Sequence, residues 1–194
     1  MTSTLERQEL RRFFRERRRA LGSHQQREHA LRVARHLLNN PVSWRSRRIG
    51  AYWANDGEVS LAPLLGELEY RNRQLALPVV STAGRMAFYR YHRAAPMLVN
   101  RYGIPEPGPG SAFVDGRSLD LILLPLVAFD EYGVRLGMGA GYYDRFLGAL
   151  PEPLRPRIVG IAHEVQRSAD PLPFQDWDIP LDGIVTERGW QAFT

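Results

Sequence analysis

The residues best suited to chemistry in this chain lie in one glycine-rich stretch, GVRLGMGAGYYDR, which spans residues 133–145. Closely spaced glycines let backbone N–H groups approach a phosphate, and a helix that begins after them adds partial positive charge. Arg135 offers a guanidinium to an oxyanion, and Asp144 offers a carboxylate to a Mg²⁺ ion. The pattern favours a nucleotide-phosphate site, with a plain glycine turn and Asp144 beside a helix dipole as the alternative. It contains neither the dinucleotide fingerprint nor the P-loop motif.

Two arginines near the N-terminus, Arg7 and Arg11, are four residues apart and therefore share one face of a helix. A helical pair of guanidinium groups suits a polyphosphate, although a solvated basic face is the more common meaning of such a pair. All 26 basic residues are arginine, and residues 1–48 hold 13 of them against 4 glutamates, a net charge of +9. This basic segment predicts a surface for either a nucleotide or a nucleic acid.

A short acidic turn, Asn55-Asp56-Gly57-Glu58, follows the first predicted strand. Ligands of α/β proteins bind at the carboxyl ends of strands, where this turn is expected to lie. The carboxylate of Glu58 would there accept hydrogen bonds from the N–H donors of a heterocycle. The alternative, which composition alone favours, is a simple Asp-Gly turn followed by a glutamate at a helix start.

Several residue types that support other kinds of catalysis are missing from the chain. There is no cysteine, which excludes disulfides, a thiolate nucleophile and a thiolate metal site. No G-x-S-x-G motif occurs, and the five histidines lack the spacing of a local metal motif. His163, at the end of a predicted strand, is interpreted as structural. We therefore expect no covalent protein nucleophile.

The elements that position these residues begin with two basic helices in residues 1–40. Ser3 with Glu6, and Ser23 with Gln26, have the spacing of capping boxes and predict the two helix starts. The apolar side of the second helix is predicted to consist of Ala30, Val33, Ala34 and Leu37. The segment Asn39-Asn40-Pro41 is expected to end that helix.

Residues 47–187 predict an α/β core, in which strands alternate with helices. The predicted strands are 47–54, 74–80, 86–92, 119–130, 157–163 and 182–187, and the predicted helices are 60–72 and 142–150. Several strands are apolar on both faces, which is typical of a mostly parallel sheet covered by helices. Residues 93–118 are rich in proline and glycine and predict a long loop with a function. The length of the chain fits a single domain, 1–194.

Five segments, in their order along the chain, resemble the 5-formyltetrahydrofolate cyclo-ligase family, also called methenyltetrahydrofolate synthetase. They are RQELRRFFRERRRAL, IGAYWANDGEVSL, NRYGIPEP, LDLILLPLVAFDEYGVRLGMGAGYYDRFL, and GIAHEVQ with LPFQDWDIPLDGIVTE. The resemblance implies a Rossmann-like α/β fold, with a mostly parallel sheet flanked by helices in a single domain. It also implies conversion of ATP and 5-formyltetrahydrofolate into 5,10-methenyltetrahydrofolate, ADP and phosphate, with Mg²⁺ as the cofactor.

The resemblance further implies roles for individual residues. The ATP-binding set that it implies is Arg7, Arg11, Arg135, Gly137, Met138, Gly139, Ala140, Gly141, Tyr142 and Tyr143. Glu58 matches a folate-binding glutamate, and Tyr142 is expected to border the folate as well. Asp144 matches a magnesium ligand, and Asp178 matches a second metal position. Arg7 stands where lysine is common in the family, and Ala140 where some members have lysine, so phosphate contacts there are expected to differ.

Two other functions compete with this one: another ATP-dependent transferase on the same fold, and an RNA-binding module. A net charge of −4 outside residues 1–48 and the glycine-rich loop count against the RNA-binding module. The first residues lack the apolar core of a signal peptide, and no apolar run is long enough to span a membrane. We therefore expect a cytoplasmic monomer that binds ATP and 5-formyltetrahydrofolate but neither nucleic acid nor membrane.

Overall fold

The structure is a computed structural model that describes the backbone of residues 2–193 and the side chains of residues 4–193. The helices are α1 (Thr2–Arg19), α2 (Ser23–Leu38), α3 (Pro41–Arg45), α4 (Ala62–Tyr70) and α5 (Tyr142–Gly148). The strands are β1 (Arg48–Gly50), β2 (Gln74–Val80), β3 (Met86–Tyr91), β4 (Met97–Val99), β5 (Pro105–Pro107), β6 (Phe113–Val114), β7 (Leu121–Pro125), β8 (Ala128–Phe129), β9 (Arg135–Leu136), β10 (Arg157–Ile161), β11 (Gly183–Thr186) and β12 (Gly189–Ala192).

Eight strands of the described chain form one mixed sheet in the order β12-β11-β10-β7-β1-β2-β3-β6. The five strands from β11 to β2 run parallel, and the pairings at both sides of them are antiparallel. Because the five central strands point the same way, their carboxyl ends meet at one edge of the sheet, where ligands of α/β proteins bind. The predicted single-domain α/β fold with a mostly parallel sheet is confirmed.

Apolar side chains on both faces of the sheet explain why these segments become central strands. In β7, Leu121 and Leu123 pack into one core cluster, whereas Ile122 and Leu124 pack into another, because successive side chains of a strand point to opposite faces. The first face is covered by α2 and α4, and the second by α5. The buried side of α2 is Ala30, Val33, Ala34 and Leu37, as predicted. Burial of this apolar surface drives the assembly of the layers.

The helix starts differ in part from the predicted capping boxes. Helix α1 already includes Ser3, whose side chain lies outside the described residues, so the first predicted box has no structural description. For α2, the predicted pairing of Ser23 with Gln26 is wrong. Gly22 is the N-cap residue, and its backbone is extended. The Gln25 side chain accepts a hydrogen bond from the Gly22 N–H at 3.1 Å. Only this half of a capping box is present, because glycine has no side chain to accept from the helix backbone. In residues 2–193 no helix is long and apolar enough to cross a bilayer.

Two predicted strands end earlier than their apolar patterns indicated. Strand β1 stops at Gly50, so the rest of the predicted strand 47–54 leaves the sheet. Strand β7 stops at Pro125, and the next carbonyl, on Leu126, accepts hydrogen bonds from Arg18 and Gln166 side chains instead of a neighbouring strand. A pattern of apolar residues indicates burial but not pairing within a sheet. Both segments remain buried after the chain leaves the sheet, so the pattern continued beyond the ends of the strands.

The segment 93–118 is not the structureless loop that its proline and glycine content predicted. It contains the two-stranded sheet formed by β4 and β5, and the edge strand β6 that pairs with β3. These strands have two or three residues each, which is too short for an alternating pattern to appear in the sequence. Strand β12 at the opposite edge of the sheet was not predicted either, for the same reason.

Candidate functional site

Two adjoining cavities open where the central strands end, and they share one wall. The polar cleft has a volume of about 1070 Å³ and the aromatic cavity a volume of about 410 Å³. The shared wall consists of Arg135, Gly137, Ala140, Gly141 and Asp144, all from the glycine-rich stretch. The rest of the polar cleft is mainly charged and includes Arg7, Arg11, Arg145, Arg155, Asp176 and Asp178. The rest of the aromatic cavity includes Tyr52, Trp53, Glu58, Tyr102, Tyr142 and Tyr143.

The backbone of the glycine-rich loop explains its composition. Gly139 has φ +100° and Gly141 has φ +65°, in the left-handed region that side chains disfavour. Gly141 is the residue before α5, so the loop ends where the backbone N–H groups at the start of that helix are available. The sequence-based prediction of a glycine turn leading into a helix at Tyr142 is confirmed.

The residues predicted to bind ATP do not all lie on the same side of the shared wall. Gly137, Gly139, Ala140 and Gly141 line the polar cleft, together with the arginines predicted to bind ATP. Met138, Tyr142 and Tyr143 line the aromatic cavity instead. Residues 137–143 thus line two cavities, because the loop passes between them.

Helix α1 directs its predicted arginine pair into the polar cleft. Arg7 donates to both carboxylate oxygens of Asp178, at 2.7 and 3.2 Å, and to the carbonyl of Pro173 at 3.1 Å. The Nε of Arg11 donates to the carbonyl of Gly137 at 2.9 Å, so α1 is tied directly to the glycine-rich loop. Partial burial, and then the positive charge of Arg7, lower the pKa of Arg11 below its ordinary value. Two adjacent cations in a partly desolvated cleft favour an anionic ligand.

The two predicted metal ligands, Asp144 and Asp178, both line the polar cleft, and each is paired with an arginine. An Oδ atom of Asp144 accepts a hydrogen bond from Arg135 at 2.6 Å, and Asp178 pairs with Arg7. A divalent cation would compete with these guanidinium groups for the same carboxylate oxygens. The Nε of Arg135 is buried and has no hydrogen-bond partner among the described residues. An unpartnered buried donor in the wall of a cleft fits an incoming oxyanion.

Glu58 lies in the aromatic cavity, where its side chain is only 12% exposed. It accepts a hydrogen bond from the backbone N–H of Asn55 at 3.0 Å, and Arg18 lies 3.8 Å from its other oxygen. Burial is the main reason that the pKa of Glu58 rises to about 7, since a desolvated carboxylate favours its neutral form. Burial also raises the pKa of the neighbouring Tyr143 hydroxyl well above its ordinary range. The polar ends of Glu58 and Tyr143 are therefore shielded from water.

Arg18 supports this cavity from behind, and sequence reasoning missed it. Its side chain is 0% exposed, and it donates to the carbonyls of Asp56 and Leu126, at 2.9 and 3.1 Å, and to the Asp56 carboxylate at 2.8 Å. On the same helix, the large apolar side chain of Phe13 is 51% exposed, so burial along α1 does not follow residue type. Arg18 follows the buried Phe14 by four residues, and that spacing was the available signal.

A loop from the segment 93–118, for which a functional role was predicted, lines the aromatic cavity. The side chain of Glu106 accepts hydrogen bonds from the backbone N–H of Val80 and from Asn100, at 3.0 and 2.8 Å, and so fixes the loop to β2. At the tip, the hydroxyl of Tyr102 lies 2.6 Å from the hydroxyl of Tyr142. This hydroxyl pair links the loop from the segment 93–118 to the glycine-rich loop. Asn100 and Glu106 both lie in NRYGIPEP, one of the five segments that carry the family resemblance, but no role was predicted for either residue.

Comparison with known proteins agrees with this geometry. A model of the 5-formyltetrahydrofolate cyclo-ligase family matches residues 3–187. The chain is 38% identical over 181 residues to the 5-formyltetrahydrofolate cyclo-ligase of Escherichia coli K12, covering 91% of this chain and 98% of that protein. It is 36% identical over 187 residues to the Haemophilus influenzae enzyme of the same name, covering 94% and 98% of the two chains.

A solved structure gives the same result. The NMR structure of 5,10-methenyltetrahydrofolate synthetase from Aquifex aeolicus superposes with a TM-score of 0.84 at 35% sequence identity. The superposition covers 96% of this chain and 92% of that one. This chain belongs to the 5-formyltetrahydrofolate cyclo-ligase family.

Proposed function

We propose that this chain is an ATP-dependent cyclo-ligase, which converts 5-formyltetrahydrofolate into 5,10-methenyltetrahydrofolate and releases ADP and phosphate. The observation that carries the proposal is the meeting of two cavities at one glycine-rich loop. An arginine-rich cleft beside an aromatic cavity with a carboxylate suits a reaction between a polyphosphate and a planar heterocycle. Membership of the family points to the same pair of substrates.

The chemistry explains why no covalent protein nucleophile is needed. The formyl oxygen is a poor leaving group, so the terminal phosphoryl group of ATP is transferred to it, which releases ADP and leaves an iminium phosphate at N5. N10 then attacks the former formyl carbon and loses its proton, and the C–O bond breaks with release of phosphate. These steps require alignment of the reactants and neutralisation of phosphate charge.

In the polar cleft we assign the triphosphate to Arg7, Arg11, Arg135 and the backbone of residues 137–141. The buried, unpartnered Nε of Arg135 supports this assignment. Asp144 and Asp178 are the carboxylates that would hold Mg²⁺, a cation that prefers such oxygen ligands. When bound, Mg²⁺ neutralises phosphate charge during transfer. ATP binding would draw each arginine from its aspartate towards a phosphate and leave the carboxylate available to the metal.

In the aromatic cavity we assign the folate ring to Glu58 and the aromatic residues of the wall. The Glu58 carboxylate would accept hydrogen bonds from N–H donors along one edge of the ring. Tyr142 lines this cavity and lies two residues before Asp144, whose carboxylate lines both cavities. The formyl group would then point through the shared wall towards the phosphates. We further propose that the enzyme acts as a cytoplasmic monomer.

The test is an absorbance assay for the methenyl product with purified chain and 5-formyltetrahydrofolate. We expect product only when ATP and Mg²⁺ are both present, loss of activity in excess EDTA, and recovery when Mg²⁺ is added in excess of the chelator. Failure to form product with ATP and Mg²⁺ would contradict the cyclo-ligase assignment. Equal rates with and without EDTA would contradict the metal assignment alone, and ADP release without methenyl product would indicate a different ATP-dependent transferase.

A further inference from the structure

Away from both cavities, two histidines and a glutamate converge between α2 and the ends of two central strands. They are His29 on α2, His163 two residues after the end of β10, and Glu187 directly after β11. The Nδ1 atoms of the two histidines are 2.9 Å apart, and the Nδ1 of His29 is 3.6 Å from Oε2 of Glu187. One potential ligand atom from each residue lies within 4.8 Å of the other two.

The surroundings fix which nitrogen of His163 can act as a ligand. Its Nε2 lies 3.2 Å from the carbonyl of Gly57, which can only accept, so Nε2 carries the proton and Nδ1 presents a lone pair. A ligand histidine that donates its other N–H to a backbone carbonyl is the usual arrangement at metal sites. His163 is fully buried.

The carboxylate is also held in place by the backbone. Oε2 of Glu187 accepts a hydrogen bond from the backbone N–H of Glu164 at 2.9 Å, which directs this oxygen towards the histidine pair. The side chains of His29 and Glu187 are 15% and 10% exposed, so solvent reaches only a small part of the cluster. Each of the three groups therefore has a fixed direction and little access to bulk water.

We infer that His29, His163 and Glu187 bind a divalent transition-metal ion of the zinc class. Two imidazole nitrogens and one carboxylate oxygen suit Zn²⁺, whereas Mg²⁺ prefers an all-oxygen shell. Nitrogens 2.9 Å apart can both lie about 2.0–2.1 Å from one ion, and a slight opening of the pair gives a tetrahedral angle. Water would complete the four-coordinate shell.

The position of the cluster connects it to the aromatic cavity. Through Gly57, His163 holds the turn that carries Asp56 and Glu58. An ion bound by His163 would anchor this turn to α2 and β11. This anchor would be stronger than the one that the hydrogen bonds of the cluster provide alone. The ion is expected to stabilise the fold and the wall of the cavity, and it takes no part in phosphoryl transfer.

The test measures metal binding directly, without ATP or folate, so it is independent of the proposed activity. Tag-free chain is stripped with chelator, returned to buffer with excess Mg²⁺, titrated with Zn²⁺ by calorimetry, and analysed for metal by mass spectrometry. We expect one Zn²⁺ per chain and a higher melting temperature. His29→Ala and Glu187→Gln should each weaken zinc binding at least about tenfold, whereas His24→Ala, at an exposed position of the same helix, should leave it unchanged.

Three results would overturn the inference. The first is that no zinc is retained, in which case the two histidines form a hydrogen-bonded pair only. The second is that His29→Ala and Glu187→Gln, folded by circular dichroism, bind zinc as tightly as wild type. The third is that zinc binding survives in these variants but is lost in Asp144→Asn/Asp178→Asn, which would assign the ion to the polar cleft. Cobalt substitution adds a visible spectrum that distinguishes nitrogen ligands from an all-oxygen shell.

Discussion

Glu58 is the residue at which ligand binding and fold stability oppose each other most clearly. A carboxylate that is 12% exposed and has a pKa of about 7 is half protonated near neutral pH, yet two in-plane hydrogen bonds from a folate ring require the ionised form. We therefore predict that Glu58→Gln raises the folate KM and lowers kcat/KM by about 10-fold or more, since one acceptor becomes a donor. ATP affinity measured without folate should stay near wild type. Weaker ATP binding with unchanged folate binding would reverse the two cavity assignments.

The raised pKa of Glu58 also predicts a pH dependence of stability. The folded chain binds a proton at Glu58 up to about pH 7, whereas the unfolded chain releases it near its ordinary pKa of 4.5. The contribution of this group to stability is thus fully present below pH 4.5 and is lost as pH rises through 7, by roughly 3 kcal/mol. Urea unfolding should show Glu58→Gln gaining stability relative to wild type between pH 5 and pH 8. A difference that does not vary with pH would contradict the burial argument.

Arg11 is the residue that tests the nucleotide assignment. Its Nε bonds Gly137, and its positive charge faces the polar cleft beside Arg7. Arg11→Ala should weaken ATP binding by about 1–3 kcal/mol, the usual scale for a lost charged hydrogen-bond partner. Arg12→Ala is the matched control, because Arg12 is exposed on the same helix and lines a neighbouring surface groove. Unchanged nucleotide affinity with a lower melting temperature would make Arg11 a structural residue.

At the scale of elements, we expect a substitution in the glycine-rich loop to lower catalytic activity much more than it lowers stability. Gly139 has φ +100°, and a Cβ there would approach the guanidinium carbon of Arg11 to 3.5 Å. That distance is an ordinary van der Waals contact, so the strain comes from the positive φ. Gly139→Ala should cost about 1–2 kcal/mol of stability through backbone strain, and it should reduce kcat/KM for ATP more than tenfold because relief of the strained φ changes the path of the loop. Gly110→Ala is the control, since Gly110 has φ +90° and open space around it. Equal loss of ATP-dependent activity in both variants would contradict a specific role for the loop.

The elements also mark the limits of prediction from the sequence. Strand β2 and the buried side of α2 match their predicted residues, because regular apolar periodicity is a local property. The short strands in the segment 93–118 and strand β12 were missed, because two to four residues are too few to establish a period. Strands β1 and β7 were predicted too long, because the residues that follow them stay buried after they leave the sheet.

At the scale of the whole molecule, Arg18 attaches α1 to the back of the aromatic cavity. It is fully buried and joins Asp56 to the carbonyl of Leu126, so a basic helix that resembles a nucleic-acid surface in sequence is in part an internal support. Arg18→Met should lower the free energy of unfolding by about 1–3 kcal/mol, since the Asp56 carbonyl loses its buried donor. The loss is limited because Arg15 and Arg19 still contact the Asp56 carboxylate. Gln166 also still donates to the Leu126 carbonyl. In urea unfolding, the control Arg17→Met should change stability by at most about 1 kcal/mol, because Arg17 stacks on Phe13 at the surface. Equal effects would show that Arg18 is not a support.

The sequence by itself determined the class of fold, the two N-terminal helices, the glycine turn before α5 and the residues that match the family. These features depend on periodicity, turn chemistry and segments of contiguous residues. Only the tertiary structure decided that Arg7 meets Asp178, that Arg18 is buried, and that His29 meets His163, because these partners are separated by 171, 38 and 134 residues. Such pairs depend on the order of strands in the sheet and on the side to which each helix crosses, and neither is encoded in local spacing.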